Sequence, residues 1–313
     1  MAIDYDLANK YRPTTFESLI GNTACKEAIQ SVLTRSTGVP HAWLLHGPSG
    51  CGKTTLARII AKHLKCHPQD YHEYDLGSDG GVDVVRTILD QTGYAPKWGN
   101  VKVYVLDECH ELTTRAQNAL LKNLEEPPKH VYFILCTTDP QKLITTVRSR
   151  CQAATFEVER LRKNDCYKLL DSICEKEGVD PLSQPVKEAI YTCSSGCRDI
   201  LGYLDKVIDI EDDEQALQLV TKQSACETQI ADLCTCMVGK PTVKKVVPIL
   251  KALRDQKEDP EKIRRAILAW LTNSALRNQN AERCAIVIQL FSSPYYDVGF
   301  AGLVRDCIDS CSS

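Results

Sequence analysis

Apolar residues in the first half of the chain form short continuous runs that alternate with stretches of helical spacing. The clearest runs are Ala42–His46, Val101–Asp107 and Val131–Thr137. Strands that are buried on both faces of a parallel sheet have this nearly continuous apolar character. The alternation from residue 1 to about residue 158 therefore predicts a parallel α/β sheet with crossover helices.

Helical spacing without strands follows this α/β region. Between residues 159 and 210 we predict helices that are interrupted at Gly178 and at Ser194–Gly196, because glycine and serine are frequent where helices end. The acidic run Asp209–Glu214 is either a linker or an exposed helix start. These features favour a separate helical domain over residues 159–210.

The remaining residues are also helical in pattern. Apolar positions recur at i, i+4, i+7 and i+8 between Ile263 and Leu271, and a similar spacing links Val246 to Leu253. Such stripes normally form the core of a helical domain, and they carry no motif that identifies a binding site. The chain therefore predicts three domains, at residues 1–158, 159–210 and 211–313.

Composition narrows the class of protein. The 313 residues are 43% hydrophobic and 25% charged, as in ordinary globular proteins. Neither a long apolar run nor a signal-like amino terminus is evident, and the sixteen scattered cysteines favour reduced thiols. We expect a cytoplasmic protein (in the host cytoplasm if the source is viral). The net charge of −3 means that any nucleic-acid contact must come from a local basic surface.

A phosphate-binding loop follows the first clear strand. Residues 47–54 read GPSGCGKT, with the strand Ala42–His46 before them and a helical stretch, Thr55–Leu64, after them. In this pattern backbone N–H groups surround the phosphates, the lysine neutralises them and the threonine hydroxyl reaches Mg²⁺. The candidate nucleotide-binding residues are Gly47, Pro48, Ser49, Gly50, Cys51, Gly52, Lys53, Thr54 and Thr55.

An acidic pair ends the next clear strand. Asp107 and Glu108 follow the apolar run, so the fold should bring them to the edge of the sheet beside the phosphate loop. Asp107 can then hold Mg²⁺ together with Thr54, and Glu108 can polarise the attacking water. The alternative is that the acids merely cap a helix. His110 completes the acidic segment, and its sequence context assigns it only a structural hydrogen-bonding role.

These motifs, in this order, resemble the ATPase subunits of clamp loaders. That family includes the bacterial DNA polymerase III gamma/tau subunit and the small subunits of replication factor C. The likeness covers residues 8–205. Besides the loop and the acidic pair, the matching segments are Lys10–Pro13, Leu19–Gly21, Ala116–Pro128, Cys136–Leu143 and Ser149–Cys151.

The resemblance implies roles for five further residues. Tyr11 and Arg12 belong to the segment that flanks the adenine in this family. Thr138 corresponds to the first sensor, which orients the attacking water. Arg150 corresponds to an arginine finger that acts on the ATP of a neighbouring subunit, and Arg198 to the second sensor, which contacts the γ-phosphate.

The resemblance also implies an architecture and partners. The expected fold is an α/β AAA+ P-loop domain with a parallel five-stranded sheet, followed by a helical lid domain and an all-helical collar domain. The collar assignment rests on position alone. The expected partners are the other subunits of a homo- or hetero-pentamer, a sliding clamp and primer–template DNA, with no membrane.

Contacts with DNA are a further implication of the family. Arg86, Arg115 and Lys142 lie near predicted helix starts, where scattered cations suit contacts with phosphates without base readout. The alternative is that all three are solvated surface charges.

ATP and Mg²⁺ are the expected cofactors, and zinc is not. The bacterial gamma/tau subunit has closely spaced zinc-binding cysteines between the phosphate loop and the acidic pair. This interval here holds only Cys66, with His67 and His72 near it. A structural zinc site needs four ligands, usually in two close pairs.

The expected function is that of an ATP-dependent motor subunit that opens a ring-shaped clamp, places it on primer–template DNA and releases it upon hydrolysis. A branch-migration or recombination motor is the alternative, although such a protein usually ends in a winged-helix domain. A non-hydrolysing architectural subunit would lack one of Lys53, Thr54, Asp107 and Glu108, all of which are present. A small-molecule kinase is disfavoured because Arg150 resembles an arginine finger that acts on a neighbouring subunit.

Overall fold

The computed structural model describes residues 6–36, 38–79, 82–239, 242–255, 259–276, 280–295 and 299–312. Contacts divide the chain into two units, Met1–Asp213 and Glu214–Ser313. The second boundary predicted from sequence lies close to this division. The first, between residues 158 and 159, falls inside the first unit and stays a prediction.

The first unit is built on a five-stranded parallel sheet, across which the strands of residues 71–75, 102–107, 131–137, 42–46 and 155–157 follow one another in that order. This confirms the predicted fold class. Two of the predicted strands are reproduced residue for residue, and a third begins one residue later. The strands are β1 (Ala42–His46), β2 (Tyr71–Asp75), β3 (Lys102–Asp107), β4 (Val131–Thr137) and β5 (Thr155–Glu157).

Helices cover both faces of this sheet, as its apolar strands require. In β1, Trp43 and Leu45 pack on one face with the helices of residues 23–33 and 53–63, while Ala42 and Leu44 pack on the other with the helices of residues 82–92, 114–125 and 145–151. The helices that precede β5 along the chain are α1 (Leu7–Lys10), α2 (Thr23–Leu33), α3 (Lys53–His63), α4 (Leu76–Asp79), α5 (Val82–Thr92), α6 (Thr114–Glu125) and α7 (Thr145–Cys151).

Three helices follow the sheet at the end of the first unit: α8 (Lys163–Glu177), α9 (Gln184–Cys193) and α10 (Cys197–Val207). Both predicted breaks are confirmed. Gly178 ends α8 in the left-handed conformation, with φ of 73°, which glycine adopts without steric penalty. Gly196 precedes the first residue of α10. The amino-terminal α1 packs against α10, so the two ends of this unit meet.

The second unit consists of helices throughout its described residues. They are α11 (Asp213–Val238), α12 (Val243–Asp255), α13 (Pro260–Leu276), α14 (Ala281–Leu290) and α15 (Gly299–Ser312). The predicted stripe is confirmed, because Ile263, Ile267 and Leu271 are fully buried in the core of this unit. None of the helices in the described part of the chain is long and apolar enough to cross a membrane.

Buried charge also stabilises the second unit. Glu261, only 5% exposed, accepts hydrogen bonds from Arg264 at 2.6 and 2.9 Å and from the backbone N–H of Tyr295 at 2.9 Å. The hydroxyl of Tyr295 donates in turn to Asp306 at 2.7 Å. The hydrogen bonds from Arg264 and then from Tyr295 lower the pKa of Glu261 to about 2.

Candidate ATP site

The phosphate loop joins β1 to α3 and is closed around Lys53. Gly47, Gly50 and Gly52 have φ values of 149°, 69° and 101°, which side chains rarely allow. Lys53 is 5% exposed, and its Nζ donates to the carbonyl oxygens of Gly47 and Pro48 at 3.0 and 2.9 Å. The loop thus holds the Lys53 ammonium group at the end of the sheet, where it can bind phosphate oxygens.

The acidic pair lies against this loop, as predicted. The Thr54 hydroxyl donates to Oδ2 of Asp107 at 2.5 Å. Glu108 has a left-handed backbone, with φ of 48°, and its Oε2 lies 3.3 Å from the Thr138 hydroxyl, which donates to it. The parallel sheet brings these residues together because β1, β3 and β4 all end at the same edge.

A cavity of about 530 Å³ opens above these residues. Its volume is typical of a small-molecule site. Its lining includes Lys53, Asp107 and Glu108, together with apolar side chains from the amino-terminal segment, α8 and α10. These apolar residues are Leu19, Ile20, Leu169, Ile173 and Leu201. A lining that combines a lysine with apolar side chains fits a nucleotide, and the hydroxyl–carboxylate pair of Thr54 and Asp107 offers the oxygen ligands that Mg²⁺ prefers.

Tyr11 and Arg12 line the same cavity from the amino-terminal segment. Hydrogen bonding to Glu177 of α8 raises the pKa of Tyr11, and burial followed by the nearby charge of Arg58 lowers that of Arg12. Lys10 pairs with the same Glu177 at 2.6 Å. The amino-terminal segment is therefore tied to the helices after the sheet at the rim of the cavity.

The helix α10 begins directly against the phosphate loop. The backbone N–H of Cys197 donates to the carbonyl oxygen of Gly50 at 2.9 Å. A Cβ on Gly196 would lie 2.7 Å from the carbonyl oxygen of Ser49, so only glycine fits there. Arg198, the next residue of the helix, lines the cavity.

Two relatives share most of their length with this chain. The DNA polymerase III subunit gamma of Buchnera aphidicola subsp. Schizaphis graminum is 33% identical over 80% of this chain and 70% of that protein. Its counterpart from Buchnera aphidicola subsp. Acyrthosiphon pisum is 34% identical over 79% and 74%. The chain belongs to the DNA polymerase III gamma/tau family. The tau subunit of Bacillus subtilis is 32% identical over 81% of this chain but only 48% of that longer protein.

Two other comparisons concern a shorter segment of the chain and its fold. A family model described as "DNA polymerase III, delta subunit" matches residues 77–160. The Thermotoga maritima RuvB Holliday junction branch migration motor superposes with a TM-score of 0.57 at 21% identity, covering 77% of this chain and 85% of that one. At this identity the likeness shows the AAA+ fold alone.

Arg150 is not among the described residues that line the candidate ATP cavity. It lies on α7, about half exposed, and its guanidinium donates to Oε1 of Glu125 at 2.5 Å. An arginine intended for a neighbouring subunit needs such exposure. Its role as an arginine finger stays a prediction.

The three candidate DNA contacts are spread over the first unit. Arg86, in α5, pairs with Asp83 at 3.2 Å, and the preceding Gly80 and Gly81 lie outside the described residues. Arg115 is exposed in the first turn of α6. Lys142 ends a 3-10 helix, Pro140–Lys142, rather than opening α7, and lies 3.5 Å from Glu111. Contact with DNA stays a prediction for all three.

The cysteine between the phosphate loop and the acidic pair has other neighbours. Cys66 Sγ donates to the carbonyl oxygens of His67 and Val101, at 3.5 and 3.6 Å. His67 stacks on Trp98, and His72 stacks on Tyr104. Cys66, His67 and His72 therefore each have a contact within the protein. The predicted absence of zinc stays a prediction.

Sequence reasoning missed an ion pair on the cavity wall. Arg58 donates to both carboxylate oxygens of Glu73, at 2.8 and 2.7 Å, and Tyr71 donates to the same carboxylate at 2.5 Å. Burial raises the pKa of Glu73, but the hydrogen bonds from Arg58 and Tyr71 outweigh it and leave that pKa below its ordinary value. No spacing signals this pair, because it joins a helix to a neighbouring strand.

Proposed function

We propose that this chain is an ATP-hydrolysing motor subunit of a sliding-clamp loader. The observation that carries the proposal is the meeting of Lys53, the Thr54–Asp107 pair and Glu108 at one nucleotide-sized cavity, with Thr138 bonded to Glu108. Membership of the DNA polymerase III gamma/tau family supports the replicative role.

The residues at the cavity have separate roles in ATP hydrolysis. Lys53 exchanges its two backbone carbonyl partners for phosphate oxygens of ATP. Glu108 accepts the proton of the attacking water, and Thr138 orients the carboxylate through the hydroxyl that already contacts it. Bound Mg²⁺ supplies positive charge beside the phosphates, and Thr54 and Asp107 are the residues that would hold it.

Arg150 completes the site of a neighbouring subunit. Its guanidinium is exposed and paired with Glu125 rather than directed into its own cavity. In the assembly it leaves Glu125 and stabilises the negative charge that spreads over the transferring phosphoryl group. An isolated chain is accordingly a slow ATPase, and the helices of residues 211–313 hold the subunits in a ring.

The presence or absence of the γ-phosphate changes the contacts of α10, and through this helix it affects the conformation of the chain. Arg198 contacts the γ-phosphate from the first turn of this helix, whose backbone is already bonded to Gly50. Loss of the γ-phosphate removes one contact of Arg198 and of the neighbour's Arg150. A ligand shifts a conformational equilibrium only through such differential contacts. ATP therefore favours the clamp-opening state, and hydrolysis favours release of the clamp on primer–template DNA.

A branch-migration motor is the alternative, favoured by the RuvB-like fold. Two observations support the clamp loader instead. The relatives that share most of their length with this chain are polymerase III subunits, whereas RuvB shares only 21% of its residues in the aligned region. The described residues beyond 213 are helical and contain no strand, whereas a winged-helix domain includes a β-hairpin.

Steady-state ATP turnover tests the proposal. The rate is measured with and without primed DNA and a sliding clamp, for the natural chain and for Glu108→Gln. We expect DNA and clamp together to stimulate turnover, and Glu108→Gln to abolish the stimulated rate while ATP binding persists. Stimulation by DNA that no clamp increases would instead favour the branch-migration alternative.

A further inference from the structure

One carboxylate on α8 holds two side chains of the amino-terminal segment. Oε1 of Glu177 accepts a hydrogen bond from Nζ of Lys10 at 2.6 Å, and the hydroxyl of Tyr11 donates to the same carboxylate. The hydrogen bonds from Lys10 and then from Tyr11 lower the pKa of Glu177, so its charged form is favoured. These contacts, here called the Glu177 bridge, join residues that lie 167 positions apart in the sequence.

The amino-terminal residues 6–12, here called the strap, are bonded to one another. The carboxylate of Asp6 accepts the backbone N–H of Ala8 at 2.9 Å and the side-chain amide of Asn9 at 3.2 Å. The amide oxygen of Asn9 in turn accepts a hydrogen bond from the guanidinium of Arg12 at 2.7 Å. Because these bonds link the two ends of the strap, we expect it to move as one piece.

The strap is attached to the following helices through an apolar contact and through the Glu177 bridge. Leu7 is only 5% exposed, and its helix α1 packs against α10. Within the part of the chain that the structure describes, the hydrogen bonds that leave residues 6–12 end on Glu177. Opening this bridge therefore removes the polar attachment of the strap and leaves Leu7 as its anchor.

The strap and α8 both contribute to the lining of the candidate ATP cavity. Tyr11 and Arg12 line it from the strap, and Ile173 and Lys176 line it from α8. Nζ of Lys176 also lies 5.5 Å from the centre of the Tyr11 ring, within the range of a cation–π contact. The Glu177 bridge therefore connects two segments between which the cavity can widen or narrow.

We propose that Glu177 holds the strap closed against α8 and thereby sets the rate at which bound nucleotide leaves the site. The inference rests on the proposed function, since it concerns the same ATP site. When the Glu177 bridge opens, the strap moves away from α8 and the nucleotide is released. Release of ADP precedes each new binding of ATP, so the bridge limits how often the subunit can begin another cycle.

Glu177 acts here as a positioning residue, because it is not among the described residues that line the cavity. It acts through Lys10 and Tyr11. Since the strap is separate from the phosphate loop, opening the bridge should accelerate the release of ATP and ADP by the same factor. The side chains of Lys10 and Glu177 are 51% and 22% exposed, so dissolved salt should weaken the bridge.

The first test measures how fast fluorescent ADP leaves the full chain when excess unlabelled ADP is added. Glu177→Gln should raise this rate by about fivefold, the effect of losing one partly exposed ion pair. The matched control is Glu175→Gln, which removes the same charge from an exposed position on the same helix and should leave the rate unchanged. A rate for Glu177→Gln equal to that of the control would overturn the proposal.

The second test asks whether the two ends of the bridge act together. Lys10→Gln should also accelerate release, and the double variant with Glu177→Gln should release ADP no faster than the faster single variant, because both remove one contact. Effects that multiply would overturn the proposal.

The third test compares nucleotides and salt concentrations. Glu177→Gln should accelerate the release of a non-hydrolysable ATP analogue and of ADP equally, and added salt should accelerate release from the natural chain more than from the variant. An effect on the ATP analogue alone would overturn the proposal, because it would place Glu177 at the γ-phosphate. These rates require neither turnover, DNA nor a clamp. A chain that binds ADP but loads no clamp would contradict the proposed function, and the release rates would still decide the role of Glu177.

Discussion

The backbone N–H of Cys197 donates a 2.9 Å hydrogen bond to the carbonyl oxygen of Gly50, and thereby joins the first residue of α10 to the phosphate loop. The close approach depends on Gly196, because an added Cβ would lie 2.7 Å from the Ser49 carbonyl oxygen and 2.9 Å from the Gly50 carbonyl carbon. A helix that carries Arg198 is thus bonded to the loop that receives the phosphates. Changes at the nucleotide can pass directly into α10.

Gly196→Ala should weaken ATP binding by about tenfold or more, because the added methyl group separates α10 from the loop, and a factor of ten corresponds to only ~1.4 kcal/mol. The φ of Gly196 is −162°, so the effect is steric rather than conformational. Fluorescent nucleotide titration measures it. Gly202→Ala is the matched control in the same helix, where nothing lies within 4 Å of the added carbon. We expect that change to preserve binding and to stabilise the fold by about 0.5–1 kcal/mol.

Arg150→Ala should retain ATP binding but lose turnover by roughly 10³-fold or more, because no guanidinium reaches the neighbouring site. A mixing experiment tests whether the arginine acts between subunits. Arg150→Ala keeps an intact cavity, and Lys53→Ala keeps an intact Arg150. Their mixture should hydrolyse ATP faster than the sum of the separate proteins. A mixture that is merely additive would refute action in trans.

Asp107→Asn should raise the Mg²⁺ concentration required for ATP binding by about tenfold to a hundredfold, since the Thr54 hydroxyl loses its carboxylate partner at 2.5 Å. Nucleotide binding measured across a Mg²⁺ series gives the value directly. Binding in excess EDTA should be equally weak for the natural chain and the variant. Equal Mg²⁺ requirements would show that Asp107 does not hold the metal.

The stability of the second unit should depend on acidity through Glu261. Arg264 and the Tyr295 N–H lower its pKa from 4.5 to about 2, so the folded state favours the charged form. The resulting stabilisation is complete above about pH 4.5 and is lost as the pH falls toward 2. Thermal unfolding across this range should show a smaller pH dependence for Glu261→Gln, with a lower Tm at neutral pH. The exposed Glu282 provides the control, and an unchanged pH profile for Glu261→Gln would contradict this assignment.

Local patterns predicted those parts of the fold that depend on neighbouring residues. The apolar runs became β1, β3 and β4, and Gly178 ended a helix because a left-handed residue was needed there. The phosphate loop and the acidic pair were also predictable, since parallel strands end at one edge of a sheet. The meeting of Thr54 and Asp107 follows from that rule.

Contacts between distant segments could not be predicted in the same way. The bond from Cys197 to Gly50 and the pair of Arg58 with Glu73 have no periodicity, and each depends on how a helix is placed after folding. His110 illustrates the limit most clearly. Sequence reasoning gave it a structural role, but only the folded chain shows its ring between Glu108 and Glu111, at 3.3 and 3.0 Å.

The clamp-loader function is tested by delivery of a clamp onto DNA. The chain, assembled with its partner subunits, is incubated with ATP, a fluorescent ring-shaped clamp and primed circular DNA, and gel filtration measures the clamp that stays on the circle. We expect ATP-dependent retention that is lost when the DNA is cut, and a large reduction with Lys53→Ala. Retention that is equal with and without ATP, or a clamp that never joins the circle while ATP is hydrolysed, would contradict it.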